Sequence, residues 1–259
     1  MGKVFNLGKL FGIQFRLHFS WFLIFIAVTV LLVYPDFSQW LYWVTAAITS
    51  LLFFASVVAH ELAHSLVGKA NGIPIRSITL FIFGGVAHMT REVEQPSAEL
   101  RMATAGPVCS LIIGGLFGLF LLIPNLPGLV ATAFLWLALM NGALAVFNLI
   151  PGFPLDGGRV FRSILWRFTG NYGLSTRIAA RVGQGVGYLI MLAGISITFL
   201  KPFDSSWYDG LWLVAVGWFL ENAASTSYRQ ARRQGVIQGS SAVAVLPRET
   251  PDPPHDAVD

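Results

Sequence analysis

Residues Leu41 to Val67 read LYWVTAAITSLLFFASVVAHELAHSLV, a stretch without glycine or proline and with Glu61 as its one carboxylate. A bilayer core about 30 Å thick takes roughly 20 apolar residues of helix, each rising about 1.5 Å. The stretch is therefore long and apolar enough to cross one. Its ionisable groups are not scattered, because His60, Glu61 and His64 stand together near one end. Helix positions four apart share a face, so both imidazoles can point at one metal ion, and Glu61, about 100° round the axis, can reach a water beside it. With five histidines and six glutamates in 259 residues, a His-Glu-x-x-His pattern arises by chance roughly two times in a thousand. The bland alternative is a pair of packed or interfacial histidines.

Working outward, the whole chain has the same character. Hydrophobic residues make up 55% and charged residues 12%, against roughly 25% charged in a soluble domain, and the mean hydropathy is +0.66. An ordinary water-soluble globule and a disordered chain are both excluded. The lone Cys109 rules out a disulfide framework and any cysteine-clustered metal site; it reads as a small packing residue. A metal must be held by His and carboxylate. The predicted fold is an all-α polytopic membrane protein with six spans, at about Leu17–Tyr34, Leu41–Val67, Ala98–Ile123, Leu129–Ile150, Leu174–Leu200 and Trp207–Ala224. Between the second and third, Arg76 to Met89 alternates loosely around Gly84 and Gly85 and reads as a small β-hairpin or re-entrant sheet. Residues 225–259 read as a cytoplasmic linker or disordered tail, beyond a span domain at 1–224.

Charge gives orientation. Lys and Arg accumulate on the cytoplasmic side of a membrane. With a cytoplasmic N-terminus, Lys201 alone of the 17 basic residues falls on the other side. Both termini are then cytoplasmic in a multi-pass cell-membrane protein. The net charge of +4 is explained by topology, with no nucleic-acid partner.

Catalytic zinc usually has three protein ligands and one open position, so a third ligand should come from elsewhere. Asp156 is the outstanding candidate. It lies in Asn148–Arg159, NLIPGFPLDGGR, where two prolines and three glycines must break a helix and open backbone to a cavity. A plain turn with Asp156 as a helix cap is the alternative.

Together the two stretches resemble the site-2 protease family of intramembrane zinc metalloproteases. There a His-Glu-x-x-His helix is paired with an Asn-x-x-Pro-x-x-Pro-x-Asp-Gly-Gly segment about ninety residues later, matched here by His60–His64 and Asn148–Gly158. The likeness extends to Phe83, Gly84 and Gly85, to Ala105, Gly106 and Pro107, and to Trp218 and Phe219, covering nearly all of residues 1–224. It implies that His60, His64 and Asp156 hold one zinc ion per chain and that Glu61 is the general base and later proton donor. It implies too that Asn148 stabilises the oxyanion, with a helix-packing role as the alternative. Gly84 and Gly85 would belong to an edge strand that takes an unwound substrate, or simply to a turn. His88 could approach the site but reads more simply as interfacial; Glu221 reads as facing the interface or a partner; His18 and His255 have no expected role.

The resemblance has limits. Asn71 to Ser97 is too short for the PDZ domain that some members carry there. The residues after Ala224 are too few for the paired CBS domains of others, although Gln230 onward stands where a connector to them would begin. The activity implied is hydrolysis of peptide bonds in or near transmembrane segments of a membrane protein, such as an anti-sigma factor or similar regulator. Two readings from other classes compete. An intramembrane metal or ion transporter would use the same three ligands, but has no need of Glu61 beside His60. An inactive membrane scaffold would not need the full set of catalytic groups.

Overall fold

A computed structural model describes residues 4–34, 37–81, 84–89, 93–200 and 207–244. Phe83 and His255 lie outside these. The chain runs β1 (Val4–Leu10), β2 (Ile13–His18), α1 (Ser20–Val33), α2 (Trp40–Ala70), β3 (Ile75–Phe81), β4 (Gly84–Met89), α3 (Pro96–Phe120), α4 (Gly128–Asn148), α5 (Asp156–Thr169), α6 (Tyr172–Leu200) and α7 (Trp207–Ala244).

Four of these helices, α2, α3, α4 and α6, are long and apolar enough to cross a membrane. α2, with 31 residues, is roughly 46 Å long at 1.5 Å per residue. Large apolar side chains cover the outside, among them Leu51, Ile112, Leu139 and Leu192. Many of the buried positions between helices are instead small or polar. Thr29 Oγ1 donates to Ser50 Oγ at 3.0 Å, and Asn141 Nδ2 points to Ser56 Oγ at 3.4 Å. Lipid tails are as apolar as leucine, so close packing and interhelical hydrogen bonds must hold such helices together.

Two of the six expected spans differ from expectation. The apolar run at Leu17–Tyr34 divides, with Leu17 ending an inward-facing strand position and only the 14 residues of α1 forming helix. That helix reaches roughly 21 Å, short of a bilayer core. The sixth segment lies within α7, a 38-residue helix that is not among the four. It continues to Ala244, so residues 225–244 are helical where a linker was expected.

The expected hairpin is present as β3 and β4 but is half of a larger sheet. Its strand order is β1-β2-β3-β4, with antiparallel outer pairs and a parallel β2–β3 pair. A parallel pair needs a long crossover, and here α1 and α2 supply it. Ile13, Phe15 and Leu17 of β2 point inward at every second residue and join Ile75, Ile78 and Leu80 in the core. Against that core pack Val58, Leu62 and Leu66 of α2, four residues apart and so on one helix face. The sheet thus grips one side of α2 and leaves another for His60 and His64.

Candidate metal centre

His60 and His64 are both buried in the interior, 3% and 6% exposed, with their rings turned toward α3 and α5. Each ring is held by its far nitrogen. His64 Nδ1 lies 2.6 Å from the Met102 carbonyl oxygen; a carbonyl only accepts, so Nδ1 carries the proton and Nε2 presents a lone pair. His60 Nδ1 lies 2.9 Å from Ser110 Oγ, which can accept in the same way. A bond of this kind fixes the tautomer of a metal-binding histidine and raises its basicity.

The third group arrives from the chain break after α4. Asp156 is the first residue of α5 and stands in its acidic first turn. No side chain caps that helix, and the Asp156 carboxylate turns to the imidazoles instead. Asp156 Oδ2 is 3.2 Å from His60 Nε2 and 3.0 Å from His64 Nε2, and the two Nε2 atoms are 3.1 Å apart. Among the described residues, His60, His64 and Asp156 are the one group of this kind that could hold a metal ion.

That triangle suits zinc. Metal–ligand distances of about 2.0–2.1 Å place the corners of a tetrahedron roughly 3.3–3.4 Å apart, close to the three separations observed. Three converging lone pairs repel one another unless a cation lies among them. Two neutral imidazoles and one carboxylate are also a common donor set for catalytic zinc, with one position left open.

Two glycines make room for the centre. A Cβ on Gly106 would run into both imidazoles, at His64 Nε2 and His60 Nε2. A Cβ on Gly85 would overlap Glu61 Cγ and approach Oε1 at 3.3 Å. The Gly85 backbone amide also donates to the Glu61 carboxylate. Strand β4, at the sheet edge, therefore meets α2 at Glu61, directly after His60.

This arrangement decides the family. A family model described as Peptidase family M50 matches residues 48–129 and 127–194.

The chain belongs to peptidase family M50.

Its relatives agree. It is 42% identical over 256 residues, 95% of its own length, to a putative zinc metalloprotease of Synechocystis sp., and 32% identical over 257 residues to one named Rip3 of Mycobacterium tuberculosis. It is 40% identical over 198 residues to the zinc metalloprotease MJ0392 of Methanocaldococcus jannaschii. The chain spans 66%, 64% and 53% of these three proteins. The solved structure of the site-2 protease from Methanocaldococcus jannaschii superposes with a TM-score of 0.59 at 33% identity, covering 87% of this chain and 95% of that one.

Other expected residues of this M50 chain fall elsewhere. Asn148 closes α4 with its Nδ2 donating to the Leu144 carbonyl oxygen at 2.9 Å, turned to its own helix. Gly84 has φ +121° and open space around its Cα. His88 is exposed and lines a groove of about 410 Å³ with Asn6, Arg16 and Thr79, apart from the metal centre. His18 Nδ1 accepts the Ser20 amide at the start of α1. Glu221 is held between helices, accepting from Tyr188 OH at 3.3 Å and Ser225 Oγ at 2.6 Å.

Sequence reasoning missed Ser110 and the Met102 carbonyl. It also missed Glu99 and Arg162, an ion pair buried between α3 and α5. A signal for the last existed. Glu99 lies one residue inside the expected third span, and a carboxylate there marks a partner or a site.

Proposed function

We propose that this chain is a zinc-dependent intramembrane endopeptidase acting on peptide bonds in or near transmembrane segments of membrane proteins, an anti-sigma factor or similar regulator being the kind of substrate envisaged. The carrying observation is the convergence of His60 Nε2, His64 Nε2 and Asp156 Oδ2 within 3.2 Å of one another, with Glu61 one residue from His60 on an apolar helix.

The three converging atoms would hold one zinc ion. When bound, zinc supplies Lewis acidity, polarising a carbonyl and acidifying water. Glu61 takes a proton from the attacking water and returns it to the leaving amine; the Gly85 amide keeps its carboxylate on the β4 side. The Asn148 amide, released from Leu144 by rotation of its side chain, donates to the developing oxyanion. Such a donor is worth about 3 kcal/mol in a dry site. The outer edge of β4 at Gly84 and Gly85 accepts an extended substrate segment by strand addition. A transmembrane helix must unwind locally to offer one, because its amides are otherwise satisfied internally.

We read α1 and the first part of α7 as completing six spans, with both termini on the cytoplasmic side of the cell membrane. Support comes from the segregation of basic residues. A metal or ion carrier is the weaker reading, since Glu61 beside the ligand set has no task in it.

The test compares membranes of cells expressing the wild type or Glu61→Gln and maps newly formed N-termini. New ends in or next to apolar spans, present with the wild type and absent with the variant, are expected. Equal cleavage by the variant refutes Glu61 as the base.

A further inference from the structure

The Glu99–Arg162 pair belongs to no motif and touches no predicted substrate path, yet it is the most buried ion pair described. Glu99 is 0% exposed and Arg162 9%. Glu99 Oε1 accepts from Arg162 Nε at 3.0 Å and from Nη2, with Arg159 Nε 3.9 Å away. The guanidinium lies between two aromatic rings, 4.9 Å from the centre of Phe153 and 4.6 Å from that of Tyr172. Its Nη1 reaches Thr176 Oγ1 of α6 at 3.5 Å.

The placement of these groups is informative. Phe153 precedes Asp156 by three residues and Arg162 follows it by six, so the guanidinium ties the turn before Asp156 to the helix that Asp156 begins. On α3, Glu99, Met102, Gly106 and Ser110 succeed one another at spacings of three, four and four, which is one helix face. The same face thus carries the anchor of Arg162, the carbonyl that holds His64, the gap that admits both rings and the hydroxyl that holds His60. α3 contributes no ligand itself. It is the common rod against which ligands from α2 and α5 are aligned.

We infer that Glu99 and Arg162 are positioning residues for the metal centre, fixing Asp156 Oδ2 at the distance from His60 and His64 that a metal ion requires. This rests on the metal-centre reading above. The pair acts through Asp156 alone, because Glu99 binds the helix that carries Asp156 while the histidines are held separately. Arginine is required over lysine, since the site uses two guanidinium nitrogens on one carboxylate and two planar faces for stacking.

The test is metal affinity of the full chain in detergent micelles, measured by Co²⁺ titration against a chelating dye, with the visible Co²⁺ spectrum reporting coordination. Arg162→Lys and Glu99→Gln should each weaken Co²⁺ binding by 10-fold or more and alter the spectrum. Arg167→Gln, an exposed arginine on the same helix, should leave both unchanged. The deciding arm uses an Asp156→Ala background, whose residual binding by His60 and His64 is too weak to survive dialysis but is read by titration at high Co²⁺, and where adding Arg162→Lys or Glu99→Gln should cost no further affinity. An equal loss there, or affinities within twofold of wild type in the single variants, overturns the positioning role. Absence of Co²⁺ and Zn²⁺ binding by the wild type overturns the metal centre instead. Melting of the metal-free proteins accompanies each titration, and Glu99→Gln, which preserves volume, serves where Arg162→Lys does not fold.

Discussion

The α2–α3 pair and the α6–α7 pair solve the same problem, holding two apolar helices together, by different means. Between α2 and α3 the contact is polar and particular, with His60 on Ser110 and His64 on the Met102 carbonyl. Between α6 and α7, where Arg181, Gln184 and Tyr188 also bond Tyr228, Ser225 and Glu221 toward one end, the contact that recurs along the pair is close backbone approach at small residues. A Cβ on Gly187 would meet the Glu221 nitrogen at 2.8 Å, and one on Gly217 the Gly187 oxygen at 2.7 Å. Small residues at such crossings are the usual way to gain dispersion contact where no hydrophobic drive exists. The first pair is organised around two imidazoles and the second around glycine crossings, with polar bonds at one end. Substitutions should separate them.

The largest contrast is expected from a methyl group added to each. Gly106→Ala drives a Cβ into both imidazoles and should abolish stoichiometric zinc binding while helix content by circular dichroism stays near wild type. Gly210→Ala, whose Cβ would meet Thr198 and the Gly194 carbonyl, should cost about 1–3 kcal/mol of stability by overpacking and leave zinc bound. Zinc loss in Gly210→Ala with Gly106→Ala intact would reverse the comparison.

How far the sequence foretold these two regions follows from where the partners lie. His60 and His64 were legible because four residues on a helix are neighbours by geometry alone. Asp156 was legible because prolines and glycines announced a break, although its partners are 96 and 92 residues away. Ser110 was not, since a serine in an apolar helix has no local mark that distinguishes a buried partner from a lipid-facing position. The four-stranded sheet was half hidden for a related reason. Ile13, Phe15 and Leu17 alternate as a strand, but Leu17 runs into the apolar residues of α1, and a hydropathy window merges the two. The helix beyond Ala224 reads as a linker in sequence because Ser, Arg, Gln and Gly crowd it, while the face that packs inward is only Ala224, Tyr228 and Ala231.

A middle-sized effect is expected at Ser110. Ser110→Ala removes the acceptor at His60 Nδ1 and frees the ring to turn, so zinc affinity in a competition titration should fall about 10-fold. The melting temperature of the metal-free protein should move little. An unchanged affinity would show that burial alone orients His60. The smallest effect belongs to the glycine-packed pair. Tyr188→Phe deletes one hydrogen bond to Glu221, which keeps Ser225 Oγ, and interhelical bonds of this kind average about 0.6 kcal/mol. A shift in thermal unfolding well above that would make this hydrogen bond, more than the glycine crossings, the organiser of α6–α7.

Elemental analysis of the purified full chain after exhaustive dialysis tests the central claim most directly. One zinc per chain is predicted for the wild type and for Glu61→Gln, and none for His64→Ala or Asp156→Ala. Zinc retained at full stoichiometry by Asp156→Ala, or lost by Glu61→Gln, would contradict a centre built from His60, His64 and Asp156 with Glu61 as its base.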